Sequence, residues 1–172
     1  MEELTTRKRI YEEIVLNPGL HFRELQRRLQ MPTGMLTYHL NILEKHGLIS
    51  SRRDGKYVRY FANTSMTVEE RSIMGALRNY VARRIVIYLL EEGEKKHRDI
   101  SEELKISPST LSYHLNKLIR KGILEKRERG RETYYSVRKR DLVAFTIIKY
   151  RKSFLDALVD NFALLWIKND KK

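Results

Sequence analysis

MLTYHLNILEKHGLI, residues 35–49, and TLSYHLNKLIRKGIL, residues 110–124, are two writings of one stretch within a single chain. They share Leu, Tyr, His, Leu, Asn, Leu and Gly in identical register, at an offset of 75 positions. The register extends outward without a gap, so that residues 9–62 lie over residues 84–137. It pairs Ile10 with Ile85, Arg23 with Arg98, Leu29 with Leu104, Arg52 with Arg127, Gly55 with Gly130 and Tyr60 with Tyr135. A repeat of this length marks a duplicated domain, so function should follow from what one copy does twice.

One copy reads as helix, helix, turn, helix and hairpin. Ile10, Ile14 and Val15 suit one face of a helix that stops at Asn17-Pro18-Gly19. HFRELQRRL follows as a short amphipathic helix, with Phe22, Leu25 and Leu29 inward and Arg23, Arg27 and Arg28 outward. In the second copy Ser107 is placed to cap the next helix and Pro108 to occupy its first position, whereas the first copy offers only Pro32 and Thr33. At about 100° per residue the quoted helix separates into two faces. Leu36, Leu40 and Leu43, like Leu111, Leu115 and Leu118, form the core side. Gly34, Tyr38, Asn41 and Lys45, like Ser109, Tyr113, Asn116 and Arg120, form the other. Gly47 and Gly122 end the helices. Each helix leads into a hairpin turning at Asp54-Gly55 or Arg129-Gly130, with Arg52, Arg53, Lys56 and Arg59, then Lys126, Arg127, Arg129 and Arg131, around the tip. That order is a winged helix, written twice.

The bulk composition agrees. The chain has 172 residues and a formal net charge of +13, a field that attracts polyanions. The charge is +4 over residues 9–62, +3 over 84–137 and +5 over 138–172, so it is not confined to a tail. There is no cysteine, which excludes disulfides, thiolate metal sites and cysteine nucleophiles. MEELTTRKRI has no signal-peptide character, and the longest apolar run, residues 162–167, is far short of a bilayer span. A soluble, cytoplasmic protein is expected. Charged residues make up 33% of the chain and only Gln26 and Gln30 are glutamines, a balance that leans toward a thermophile. No glycine-rich phosphate loop, no G-x-S-x-G and no ligand-spaced histidines are present, so neither an enzyme, a cofactor nor a metal is expected.

The pattern S-x-x-T-L-S-x-H-L-x-x-L-x-x-x-G, met at Ser107, Thr110, Leu111, Ser112, His114, Leu115, Leu118 and Gly122, resembles the recognition helix of the ArsR/MarR-like winged helix-turn-helix regulators. The tandem arrangement is similar to that of archaeal regulators, some of which control the archaellum operon. The resemblance implies a sequence-specific, double-stranded-DNA-binding transcription regulator. Its recognition helices would enter the major groove by their N-terminal ends while the wings grip the flanking backbone. Thr33, Gly34, Thr37 and Tyr38 are then expected at the bases in the first copy, and Ser109, Thr110, Ser112, Tyr113 and Lys117 in the second. Asn41 suits adenine, and Arg52, Arg53, Lys56, Arg127, Arg129 and Arg131 suit phosphate. Tyr38 and Tyr113 stand where the family carries arginine. Two alternatives remain open: a protein-interaction scaffold similar to the tandem winged-helix accessories of chromosome segregation, and an RNA binder.

The expected organisation is a first winged domain at 1–64, a helical linker at 65–80, a second winged domain at 81–138 and a C-terminal helix at 139–172. The fold class is mainly α with small β-hairpin wings. Thr67 and Glu70 read as a capping box, and Ile73, Leu77, Val81, Ile85 and Tyr88 suggest a linker helix running straight into the second copy. Residues 139–167 contain neither proline nor glycine and read as one long helix, with Ile148, Leu155 and Phe162 recurring every seven residues as a homodimer seam or interdomain brace.

Overall fold

The computed structural model describes residues 1–64 and 66–170; Ser65, where the linker was expected to start, and Lys171 and Lys172 lie outside the described residues. The chain divides into two compact units, Met1–Gly75 and Ala76–Lys172.

In the first unit, α1 (Glu2–Leu16), α2 (Phe22–Leu29) and α3 (Thr33–Lys45) precede the hairpin of β1 (Ile49–Asp54) and β2 (Tyr57–Ala62). α4 (Val68–Leu77) follows and runs across the boundary between the units. The apolar periodicity closes one core: Ile10, Ile14, Leu20, Leu25, Leu36, Leu40, Leu43 and Ile49 are all buried. Val15, expected beside Ile14, is exposed instead. α1 ends where Asn17 turns its amide back onto the Glu13 carbonyl and carboxylate, at 3.1 and 2.9 Å. α2 begins with a reciprocal cap: the Glu24 amide donates to His21 Nδ1, and the His21 amide donates to the Glu24 carboxylate. α3 has no side-chain cap, because Pro32 occupies that position. Thr33, a possible substitute, instead accepts from Gln26 at 2.8 Å.

The hairpin pairs Ile49 with Ala62 through to Asp54 with Tyr57, so its two loop residues are Gly55 and Lys56, one position later than the sequence reading placed them. Gly55, at φ 61°, supplies the left-handed conformation that such a tight turn requires. Asp54 therefore lies in the strand, outside the turn. Its carboxylate accepts from Arg59 Nε at 2.9 Å, while Arg59 Nη1 donates to the Gly19 carbonyl at 2.9 Å. Arg59, expected on the charged tip, is buried. It is a member of a structural ion pair with Asp54 and not a solvent-facing charge at the tip.

The second unit repeats the plan with α5 (Tyr80–Glu92), β3 (Lys95–Lys96), α6 (His97–Leu104), α7 (Pro108–Arg120), β4 (Leu124–Arg129) and β5 (Glu132–Val137). Its sheet has the order β3-β5-β4, and the loop of its wing is Gly130-Arg131. Ser107 caps α7 as expected, accepting from the Thr110 amide. Thr67 and Glu70 form the expected box at the start of α4, with both hydrogen bonds at 3.1 Å. α4 nevertheless does not continue into α5. The chain breaks at Arg78-Asn79, and Asn79 caps α5 by accepting from the Ala82 amide at 3.0 Å.

The C-terminal helical segment is present and interrupted, as α8 (Arg140–Lys149), α9 (Arg151–Phe154) and α10 (Ala157–Asp170). The second break has a clear physical cause. Leu155 adopts a left-handed φ of 50°, and the Asp156 carboxylate accepts from the Leu158 amide at 2.9 Å, starting α10 afresh. The same carboxylate holds Arg83 of α5, at 3.0 Å from both Nε and Nη2. Val143, Ala144, Ile147, Val159, Phe162 and Ala163 are buried within this unit. The seven-residue seam therefore does not survive: Phe162 is buried, Ile148 is half-buried and Leu155 is 83% exposed. Among the described residues no helix is long and apolar enough to cross a membrane.

Candidate nucleic-acid interface

The duplicated helices α3 and α7 are each held from below by their leucines and by one histidine. Leu36, Leu40 and Leu43 are buried with His39, and Leu111, Leu115 and Leu118 with His114. His39 Nδ1 accepts a hydrogen bond from Arg7 Nε at 3.3 Å. Burial, with Lys117 adding to it, pushes His114 below its ordinary pKa. Each histidine meets the ring of the preceding tyrosine edge-on, at 5.1 Å for Tyr38–His39 and for Tyr113–His114. The buried ring thus props an exposed one. Tyr38 is 51% and Tyr113 59% exposed, on the side away from the leucines.

Around Tyr38, Thr33, Gly34, Thr37 and Asn41 are all exposed. A side chain grown on Gly34 would meet nothing within 4 Å, so that surface is open for close backbone approach. The Thr37 hydroxyl donates to the Thr33 carbonyl at 2.8 Å, leaving its oxygen as an acceptor only. Around Tyr113, Ser109 and Thr110 are exposed, and the Thr110 and Ser107 hydroxyls lie 2.8 Å apart. Ser112 is half-buried and tied to His97 Nε2 at 2.9 Å, while Lys117 is half-buried one turn further on. The second copy therefore presents fewer uncommitted groups on this face than the spacing alone suggests.

Arg52, Arg53 and Lys56 are exposed around the first wing's tip, where Lys56 lies over the Tyr57 ring at 5.2 Å. Tyr57 in turn stacks on His21 at 4.7 Å, fixing the wing to the start of α2. His21 itself is held below its usual pKa, chiefly by burial, with the charges of Arg59, Arg27 and Arg23 adding to the effect against Glu24. In the second wing Arg127, Arg129 and Arg131 are exposed. Arg127 meets Glu125 at 3.5 Å, and Arg129 meets Glu94 at 3.0 Å and the Tyr134 ring at 5.3 Å. Lys96 bonds Glu132 at 2.6 Å, which raises the lysine's pKa and lowers the carboxyl's. Arg23 and Arg27, which the sequence placed outward without a role, are exposed on α2 of the first unit.

Residues 4–74 match a family described as an N-terminal HTH domain, and residues 81–126 match the bacterial regulatory proteins of the arsR family. The chain is 34% identical over 147 residues, 86% of its length, to an HTH-type transcriptional regulator of Methanocaldococcus jannaschii, and it spans 35% of that protein. It is also similar to the transcriptional repressor PagR of Bacillus anthracis, at 24% identity over 45% of this chain and 88% of that one, with a TM-score of 0.42. Reduced HlyU of Vibrio cholerae is similar at 25% identity over 48% of this chain and 86% of that one, with a TM-score of 0.43. The chain is thus built from two helix-turn-helix domains, the second of which matches, over residues 81–126, the arsR family of bacterial regulatory proteins.

Proposed function

We propose that the protein is a sequence-specific, double-stranded-DNA-binding transcription regulator. The observation that carries this reading is the duplicated face of α3 and α7, each with an exposed tyrosine and asparagine opposite buried leucines and each followed by a wing with arginines at its tip. Packing does not require tyrosine and asparagine on a solvent face, and their repetition needs a ligand to explain it. A recognition helix reads base edges in the major groove and a wing contacts phosphate. Thr33, Gly34, Thr37, Tyr38 and Asn41 read in one unit, and Ser109, Thr110, Tyr113 and Lys117 in the other, with Ser112 acting through its bond to His97. Long donors to the bases are few, so DNA shape and phosphate contacts supply much of the affinity.

The test is selection of a preferred site from a random duplex pool. Anisotropy titrations against that site, a scrambled duplex and single-stranded RNA at several salt concentrations then follow. Preference for the selected duplex supports the reading, and equal binding of RNA or no binding of any duplex rejects it.

The relevant species is a homodimer through the C-terminal helices. Leu164, Leu165 and Ile167 of α10 are 61%, 54% and 42% exposed, more apolar surface than a solvated helix end needs. Sedimentation of the intact chain should give a dimer, and Leu164→Glu a monomer; an intact chain that sediments as a monomer rejects this part.

A further inference from the structure

The 75-residue offset that shows the duplication also shows where the copies part company. α2 carries Arg23, Arg27 and Arg28, and the positions 75 residues on, in α6, are Arg98, Glu102 and Glu103. In the wings, Arg53 of the first copy stands over Glu128 of the second. The two repeats differ by a single charge, +4 over 9–62 against +3 over 84–137, so placement rather than total separates them. The larger remainder, +5, lies beyond the second wing at 138–172.

Pairing sharpens the difference. Arg98 is held by Glu102 at 2.9 Å, Arg127 meets Glu125 at 3.5 Å and Arg129 meets Glu94 at 3.0 Å. In the first unit, Arg23, Arg27, Arg52, Arg53 and Lys56 are exposed and enter no ion pair among the described residues. Arg23 and Arg27 both weigh on His21, at the N-terminus of their helix, so they build one positive field. An uncommitted arginine gains the full benefit of meeting a phosphate, whereas one held by a carboxylate must first break that pair. Exposed carboxylates beside a reading helix add repulsion from the DNA backbone.

We propose that Arg23 and Arg27 of α2 are phosphate-backbone contacts beside α3, and that the charge-reversed α6 contributes none. This rests on the DNA-binding reading above and assigns unequal work within it. The first helix of a helix-turn-helix crosses the backbone, which is where α2 presents these two side chains. The two units then differ in their grip. The first grips the backbone through α2 and its wing, and the second through its wing, where Lys126 and Arg131 are exposed, without help from α6.

The test uses the intact chain and a duplex of arbitrary sequence, titrated over a series of potassium chloride concentrations. Each phosphate neutralised contributes about 0.9 to the slope of log affinity against log salt, so Arg23→Gln with Arg27→Gln should flatten it by roughly 1.8. The loss in affinity should widen as salt is lowered, and lysine at both positions should restore most of the slope. Arg98→Gln should leave the slope unchanged. An unchanged slope in the double variant, or an equal loss from Arg98→Gln, overturns this assignment while leaving DNA binding intact. A wild type that binds no duplex overturns both. Circular-dichroism melts at the wild-type temperature confirm that the variants, all at exposed positions, report on binding.

Discussion

Replacing Asp156 should unseat the C-terminal helices more than any change at their apolar surface. Its carboxylate does two jobs at once, accepting the Leu158 amide at 2.9 Å and holding Arg83 at 3.0 Å through two nitrogens. The pair is well buried, the Arg83 side chain being 9% and that of Asp156 13% exposed. Removing one member of a buried pair costs about 3–5 kcal/mol, because the other charge is stranded. Arg83 would keep its bond to the Leu77 carbonyl at 2.8 Å and its place over the Phe154 ring at 5.1 Å, which argues for the lower end, about 3 kcal/mol. The lost cap adds about 1 kcal/mol, giving roughly 4 kcal/mol for Asp156→Ala. In a unit of this size that lowers the melting temperature by roughly 20 °C. Asn caps nearly as well as Asp, so Asp156→Asn should recover about 1 kcal/mol of the loss. Arg83→Met combined with Asp156→Asn should recover more, since no charge is then stranded. The assay is thermal and urea denaturation followed by circular dichroism, with hydrogen exchange to locate the opened helix. Asp156→Ala within about 1 kcal/mol of wild type would show that the pair contributes nothing net and that the reasoning is wrong.

Other outcomes follow from the same geometry. Arg52→Ala with Arg53→Ala should weaken binding equally for a selected site and a scrambled duplex, with the salt slope reduced by about one unit per lost contact, as read in anisotropy titrations. Tyr113→Ala should act on the selected site alone, at roughly 1–3 kcal/mol if the ring or its hydroxyl meets a base, and comparison of the same two duplexes checks it. Burial holds the His21 and His114 pKa values below the unfolded one, so the unfolded chain takes up protons first as the solution is acidified. Stability should therefore be unaffected by these groups at neutral pH and fall as pH drops below about 6.5, which urea melts across pH will show. His114→Gln should remove the part of that fall that belongs to the second unit.

The winged fold was legible because its signals are local and written twice: leucines at helical spacing, glycines after α3 and α7, and hairpins turning at Gly55 and Gly130. Exposure of Tyr38 and Tyr113 followed from the same periodicity. The breaks at Arg78-Asn79 and at Leu155-Asp156 were harder, since neither involves proline or glycine. Both are capped starts, at Asn79 and Asp156, and each cap was a readable signal hidden inside an apolar pattern that ran past it. Arg59 was misplaced because charge at a hairpin tip suggests solvent. Period two along β2 puts it on the same face as buried Phe61, and that was the available clue. No local rule could show that Ser112 is bonded to His97, fifteen residues away across the turn.

Duplication explains why the two kinds of information fared so differently. The core positions of a winged helix answer to the same packing in both copies, so Leu36, Leu40 and Leu43 still match Leu111, Leu115 and Leu118 across the 75-residue offset. Surface charge is under no such constraint, because a solvent-exposed arginine replaced by glutamate changes stability by only a fraction of a kcal/mol. Arg27 could become Glu102, or the reverse, at almost no cost to the fold. What such an exchange does change is the interaction with a polyanion, where each cation counts and each anion counts against. The aligned core therefore identifies the architecture, and the positions where charge has reversed are those at which the backbone contacts proposed for α2 have no counterpart in α6. A salt titration of the intact chain separates the two units without cutting them apart.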